Sequence, residues 1–295
     1  MRREFFVEIC RNKVYNPCIR RIFYSKEGGF EVKQKNFGKK AIATLCVLML
    51  ALGMAACGNG NDAPPAEKPK VDDAAAKIAA ENQLCAQKYK EAMENLLANK
   101  VFPNGDKAYT NEGDDTDVWG ENDFAITDID GDSIDELLIQ VGNAPTVGEV
   151  FYIFQYDSAS DSFKDELIEY PAVDFFEGGW LTVQASHNQG MAGDFWPYAI
   201  YKYNAEKDVY EQQYYIDAWD KDYFPEDYQG NPYPSDVDTS KTGIVYYLYK
   251  DITQAVDPVD KTEYDKLVAD TYGNSTENMV DYQKISAETI AAIAE

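Results

Sequence analysis

Five carboxylates crowd into residues 124–140, FAITDIDGDSIDELLIQ, and four of them, Asp128, Asp130, Asp132 and Glu136, are set at every second or fourth position between two apolar runs. Mutual repulsion opposes such crowding unless a cation sits among them. Counted from Asp128, the acids occupy positions 1, 3, 5 and 9, and the carbonyl of Ile134 supplies position 7. This ligand set is hard and oxygen-only, so Ca2+ is the expected ion. An EF-hand loop needs a bidentate acid at position 12 and glycine at position 6, where this chain has Ile139 and Ser133, and the flanks alternate as strands. The competing reading is a solvated acidic turn, because Asp favours turns through local hydrogen bonds. Carboxylates that fill a coordination shell from within leave little room for substrate, which favours a fastener over a catalyst.

Two further segments carry chemistry-bearing side chains. Residues 186–198, SHNQGMAGDFWPY, hold His187, the chain's one histidine, with Asn188 and Trp196, and read as a polar loop suited to a ligand. Ser186 and His187 are adjacent and lack a G-x-S-x-G context, which argues against a hydrolase triad, and zinc needs more His or Cys than the chain owns. Residues 217–238 interleave Trp219, Tyr223, Phe224, Tyr228 and Tyr233 with acids. Exposed aromatics beside carboxylates suit a glycan-binding face, and paired acids such as Asp220 and Glu226 also suit a glycosidase. Ordinary loop packing is the plain alternative.

The stretch DIDGDSIDEL resembles the DxDxDG loops of FG-GAP-type β-repeats, in which a strand runs into a 1-3-5-7-9 calcium loop and out into the next strand. It places glycine at Gly131 and serine at position 6. It is also similar to a DIDGDG…EL segment of many lipoproteins of Gram-positive gut bacteria, a group largely without assigned activity. The resemblance implies bound Ca2+ at Asp128, Asp130, Asp132, Ile134 and Glu136.

Residues 41–56, AIATLCVLMLALGMAA, are uncharged and follow Lys33, Lys35, Lys39 and Lys40, the basic-then-apolar order of an export signal, and are short for a bilayer span of roughly 20 residues. The run ends in Met54, Ala55, Ala56 and Cys57 before GNGNDAPPAEKPK. This resembles the lipobox of bacterial lipoproteins, with Met54 where leucine is usual. The resemblance implies that Cys57 becomes the first residue, carries a diacylglyceryl group and ties the protein to the outer side of the cell membrane. Residues 1–31 hold all five arginines of the chain. Lys26, Glu27 and Gly28 can be encoded by a ribosome-binding sequence just upstream of Val32, so translation is expected to start at Val32 and residues 1–31 to be an untranslated or disordered extension.

Of 27 Lys+Arg and 52 Asp+Glu, 11 and 4 precede Cys57, which leaves residues 57–295 with 16 lysines against 48 acids, a formal charge of −32. Such a field repels phosphate backbones and anionic headgroups, so nucleic acid is excluded as a partner and the membrane is reached through lipid alone. The 22 Tyr, 14 Phe and 4 Trp argue that most of this acidic chain folds. Cys57 and Cys85 are the cysteines that remain after processing, so no internal disulfide is expected, and Cys85 reads as a buried, inert thiol.

The elements that must position these residues follow from periodicity. Residues 32–56 are the signal peptide and 57–72 a flexible tether rich in Gly, Asn and Pro. Residues 73–99 set Ile78, Cys85, Tyr89, Ala92 and Leu96 on one face of an amphipathic helix. From about 124 to 250 the period falls to two. YIFQYDSASDSFKDEL from Tyr152 and YAIYKYNAEKDVYEQQ from Tyr198 are alike at an offset of 47, with Tyr156, Asp157, Asp161 and Phe163 over Tyr203, Asn204, Asp208 and Tyr210. Each reads as a hairpin. Residues 261–273 form a helix ending at Gly273 as a C′ residue, and Ser286 caps a last short helix.

The expected class is α+β: an antiparallel β-meander or curved sheet with an N-terminal amphipathic helix and short C-terminal helices, forming one extracytoplasmic domain over 73–295. The expected function is a lipid-anchored, calcium-stabilised binding module for glycan or protein at the cell surface. The alternative is a glycosidase-like surface hydrolase using acids of 217–238 with His187.

Overall fold

The computed structural model describes residues 73–109, 118–142, 144, 148–185 and 189–293. The leader, Cys57 and the tether lie outside the described residues, as do His187 and Asn188.

The chain folds as mixed α+β. Helix α1 (Asp73–Asn99) opens it, followed by a short 3-10 turn (Val118–Glu121) and a meander of β1 (Asp123–Thr127), β2 (Glu136–Val141), β3 (Val150–Asp157) and β4 (Ser162–Glu169). A second meander follows: β5 (Val173–Phe176), β6 (Trp180–Gln184), β7 (Tyr198–Asn204), β8 (Val209–Asp220) and β9 (Ile244–Tyr249). The end of the chain supplies α2 (Lys261–Asp270), β10 (Glu277–Asn278), β11 (Gln283–Lys284) and α3 (Ala287–Ala291). All pairings are antiparallel. The meander divides into two sheets, ordered β11-β1-β2-β3-β4 and β10-β5-β6-β7-β8-β9, so the C-terminal tail adds one short edge strand to each.

Alternation along the strands explains how the sheets stack. Leu137, Ile139, Tyr152 and Phe154 pack with Cys85, Tyr89, Met93 and Leu96 of α1 and with Ile290 of α3. Their neighbours Leu138, Phe151 and Ile153 point the other way and meet Leu181, Val183, Ala199 and Tyr201 of the second sheet. On the outer face of that sheet Tyr198, Ile200 and Ile216 receive Tyr264, Leu267 and Tyr272 from α2 and its exit. The first sheet is therefore buried on both faces, which is why β3 reads as apolar and aromatic from Val150 to Phe154 before Gln155 interrupts it.

Two local expectations need correction. Ile78 is 38% exposed, because residues 74–80 of α1 are all exposed and the buried stripe starts at Cys85. Helix α2 ends with Thr271 as its C-cap, two residues before Gly273. Gly273 is required for another reason: a Cβ there would lie 2.5 Å from Val268 Cγ1 and 2.8 Å from the Val268 carbonyl oxygen. Ser286 does cap α3, in a reciprocal box with Thr289.

The 47-residue likeness is structural. The β3–β4 and β7–β8 hairpins carry register shifts at Ile153/Phe154 and at Ile200/Tyr201, and Asp161 and Asp208 both take positive φ in their turns. In each, the strand tyrosine donates to that aspartate: Tyr156 to Asp161 Oδ1 at 2.5 Å and Tyr203 to Asp208 Oδ1 at 2.9 Å. The two units differ between their first strands, where the first has the acidic loop of residues 128–135 and the second has the tight turn Glu177-Gly178-Gly179.

Candidate metal centre

The acidic loop leaves β1 at Thr127 and enters β2 at Glu136, two residues paired across the hairpin. Asp128 accepts from the Gly131 N–H at 2.8 Å and the Ser133 N–H at 3.0 Å, Asp130 from Asp132 N–H at 2.9 Å, and Asp132 from Ile134 N–H at 2.6 Å. Gly131 and Ser133 take φ values of 92° and 79° so that the chain can coil this tightly. Helix α1 braces the outside: Asn82 accepts from the Asp135 N–H and donates to the Ser133 carbonyl, both at 3.0 Å, and Tyr89 donates to the Asp135 carbonyl at 2.6 Å.

This coil turns Asp128, Asp130 and Glu136 inward, with one oxygen of each within 4.8 Å of the others, and the three form a group that can hold a metal ion. Two oxygens on one Ca2+ lie at most roughly 5 Å apart, twice the metal–oxygen distance. Glu136 is fully buried, accepting from the Ile129 N–H at 2.8 Å and from Gln155 Nε2 at 3.4 Å. Asp132 does not join this group; its Oδ2 faces Gln155 Nε2 at 3.3 Å. Ile134 contributes its N–H to the loop and packs its side chain under α1.

The cluster extends beyond the loop. Asp130 forms a second group with Glu166 of β4 and Asp208 of the β7–β8 turn, again with ligand oxygens within 4.8 Å. Glu166 and Asp208 were not among the residues that spacing nominated. Glu166 is the extra residue at the β4 bulge, between Asp165 opposite Phe154 and Leu167 opposite Ile153. A bulge breaks the two-residue alternation and re-aims a side chain. Here Leu167 joins the packing between the sheets while Glu166 reaches Asp130 and Asp208.

Two like charges about 5 Å apart repel by on the order of 3 kcal/mol at an effective dielectric near 20. Burial, reinforced by Asp130 and Asp132, pushes the Glu136 carboxyl up to about 9. Burial, then the charges of Glu136, Asp208 and Asp130, pushes Glu166 up to about 10. Burial also raises Asp130, against the nearby Tyr203 hydroxyl, which favours its charged form. The centre is thus a negative well that a proton or a cation must fill. Gly179 lets the β5–β6 turn lie against Tyr203, which packs beside the centre: a Cβ there would come within 3.1 Å of Tyr203 Cβ, at a φ of 72°.

The aromatic segments meet each other elsewhere. The Asp220 N–H donates to the Met191 carbonyl at 2.8 Å, and Tyr223 donates to Asp194 at 2.9 Å, so the loop following residue 188 lies against the end of β8. Trp196 and Tyr223 are 38% and 56% exposed there. Trp219 is not: it is 4% exposed, edge-on to Tyr233 at 5.5 Å, with its indole N–H given to the Phe224 carbonyl at 2.6 Å. Its place on a glycan-binding face is withdrawn, because its ring is spent on packing the loop. No protein-family model matches the chain, and neither do curated proteins or solved structures.

Proposed function

We propose that this protein is a lipid-anchored extracytoplasmic binding module whose two-sheet fold is stapled by Ca2+ in the loop of residues 128–136. The carrying observation is the convergence of Asp128, Asp130 and buried Glu136 on one point at ligand spacing, in an oxygen-only setting. Hard donors of this kind suit Ca2+, and typical extracellular modules bind it at about 10⁻⁴ to 10⁻³ M. At ten times the dissociation constant such binding adds about 1.4 kcal/mol to stability. Melting the protein in millimolar Ca2+ and in excess EDTA tests this. The melting temperature is expected to rise with Ca2+ in the wild type and to respond less in Glu136→Gln; equal melting in both buffers contradicts the staple.

The ligand surface of this reading is the patch where Tyr223 stands exposed on Asp194, with Trp196 exposed two residues further along the same loop. Flat rings with a carboxylate alongside suit a glycan or a protein loop. A glycan array is expected to give binding that weakens at least tenfold on Tyr223→Ala with no change in melting temperature. Binding that Tyr223→Ala leaves intact would place the ligand surface elsewhere.

A further inference from the structure

We propose that Asp130, Glu166 and Asp208 form a second divalent-cation site, distinct from the loop site and lying between the two sheets. It shares Asp130 with the loop reading and otherwise stands apart from it. Its three residues come from three places: the β1–β2 loop, the bulge of β4, and the β7–β8 turn of the other sheet. A cation there ties the first structural unit to the second, where the loop site ties only β1 to β2.

The decisive residue is Glu166. It is 2% exposed, and neither of its carboxylate oxygens has a hydrogen-bond partner. A buried carboxylate without partners is among the costliest groups a fold can carry, and removing an uncompensated charge from water costs several kcal/mol. Glu136, its neighbour in the cluster, is by contrast served by the Ile129 N–H and by Gln155. An oxygen of Glu166 lies within 4.8 Å of oxygens of Asp130 and Asp208, so all three reach one ion. Asp130 Oδ2 is also buried without a hydrogen bond.

Asp208 is held in place for the role. Tyr203 donates to its Oδ1 at 2.9 Å and Lys164 to its Oδ2 at 3.0 Å. Each carboxylate oxygen has two lone-pair directions, so these bonds orient Asp208 and leave capacity for a metal. The second unit carries Gln213 at the matching bulge position, so an amide is compatible with that backbone.

Titrating the full chain in detergent with Ca2+ alone, and counting bound equivalents by equilibrium dialysis, tests the proposal. The wild type is expected to bind two equivalents. Asp208→Asn should bind one; Asn is favoured at the positive φ of position 208, so the turn survives the change. Glu166→Gln should also bind one, with near-ultraviolet circular dichroism reporting whether it folds. Asp128→Asn should lose the other equivalent. One equivalent in the wild type that Asp208→Asn keeps, or that Asp208→Asn and Asp128→Asn both lose, overturns the second site. Two equivalents that Asp208→Asn leaves unchanged overturn it as well. Loss of one equivalent in Asp208→Asn but none in Asp128→Asn upholds the inter-sheet site and refutes the loop site. No binding at all refutes both.

Discussion

Ser133 stands where a tight calcium loop asks for glycine, and its φ of 79° shows the demand is real. A non-glycine residue in the left-handed region costs roughly 1–2 kcal/mol, against about 0.5–1 kcal/mol of extra chain entropy for glycine. Ser133→Gly is therefore expected to stabilise the protein by a few tenths to about 1 kcal/mol. Urea unfolding at fixed Ca2+ checks this, and a lower midpoint would show that the Ser133 side chain matters to the loop. The spacing of Asp128, Asp130 and Glu136 was legible in the sequence because all three belong to one short loop. Asp132 shows the limit of that legibility: it has the right spacing, yet its oxygens lie outside the group that Asp128, Asp130 and Glu136 form.

Among the elements, α2 is held at its start by a polar knot centred on Asp260. Its carboxylate receives the Ser240 hydroxyl at 2.6 Å, the Ser240 N–H at 3.1 Å, and the Thr239 and Thr262 hydroxyls at 3.0 Å each. These donors, Ser240 first, hold Asp260 well below the usual carboxylate range. A depressed folded-state value means the stabilisation is present above the unfolded value, near 4, and is lost as pH falls below it. Melting temperatures measured from pH 5 down to pH 2 are expected to drop more steeply in the wild type than in Asp260→Asn. Parallel curves would mean that the knot does not discriminate between the acid and its neutral form. The helix itself was readable from its apolar period; its anchoring to the 239–240 turn was not, since that contact joins residues 20 apart.

On the scale of the whole molecule, the internal likeness at an offset of 47 becomes two β-meanders packed through a shared core, each completed by an edge strand from the tail. The acidic centre lies where the units meet, and the charge of residues 57–295 makes cations its natural partners. Among the described residues no helix is long and apolar enough to cross a membrane. The proposed attachment is through the lipid on Cys57. Cys57→Ser is expected to abolish incorporation of radiolabelled palmitate in cells and to release the protein from the membrane fraction. Label retained by that variant would contradict the lipobox reading.

The sequence alone determined the α+β class, the strand-flanked acidic loop and the matching hairpins, because each is written in local periodicity and spacing. The tertiary structure decided that the meander splits into two stacked sheets, that Trp219 is core, and that Glu166 and Asp208 join Asp130. Glu166 escaped detection for a definite reason: a bulge interrupts the alternation that tells which face a strand residue occupies. Asp208 escaped because its partners Asp130 and Glu166 lie 78 and 42 residues away along the chain and are brought to it only by the packing of one unit on the other.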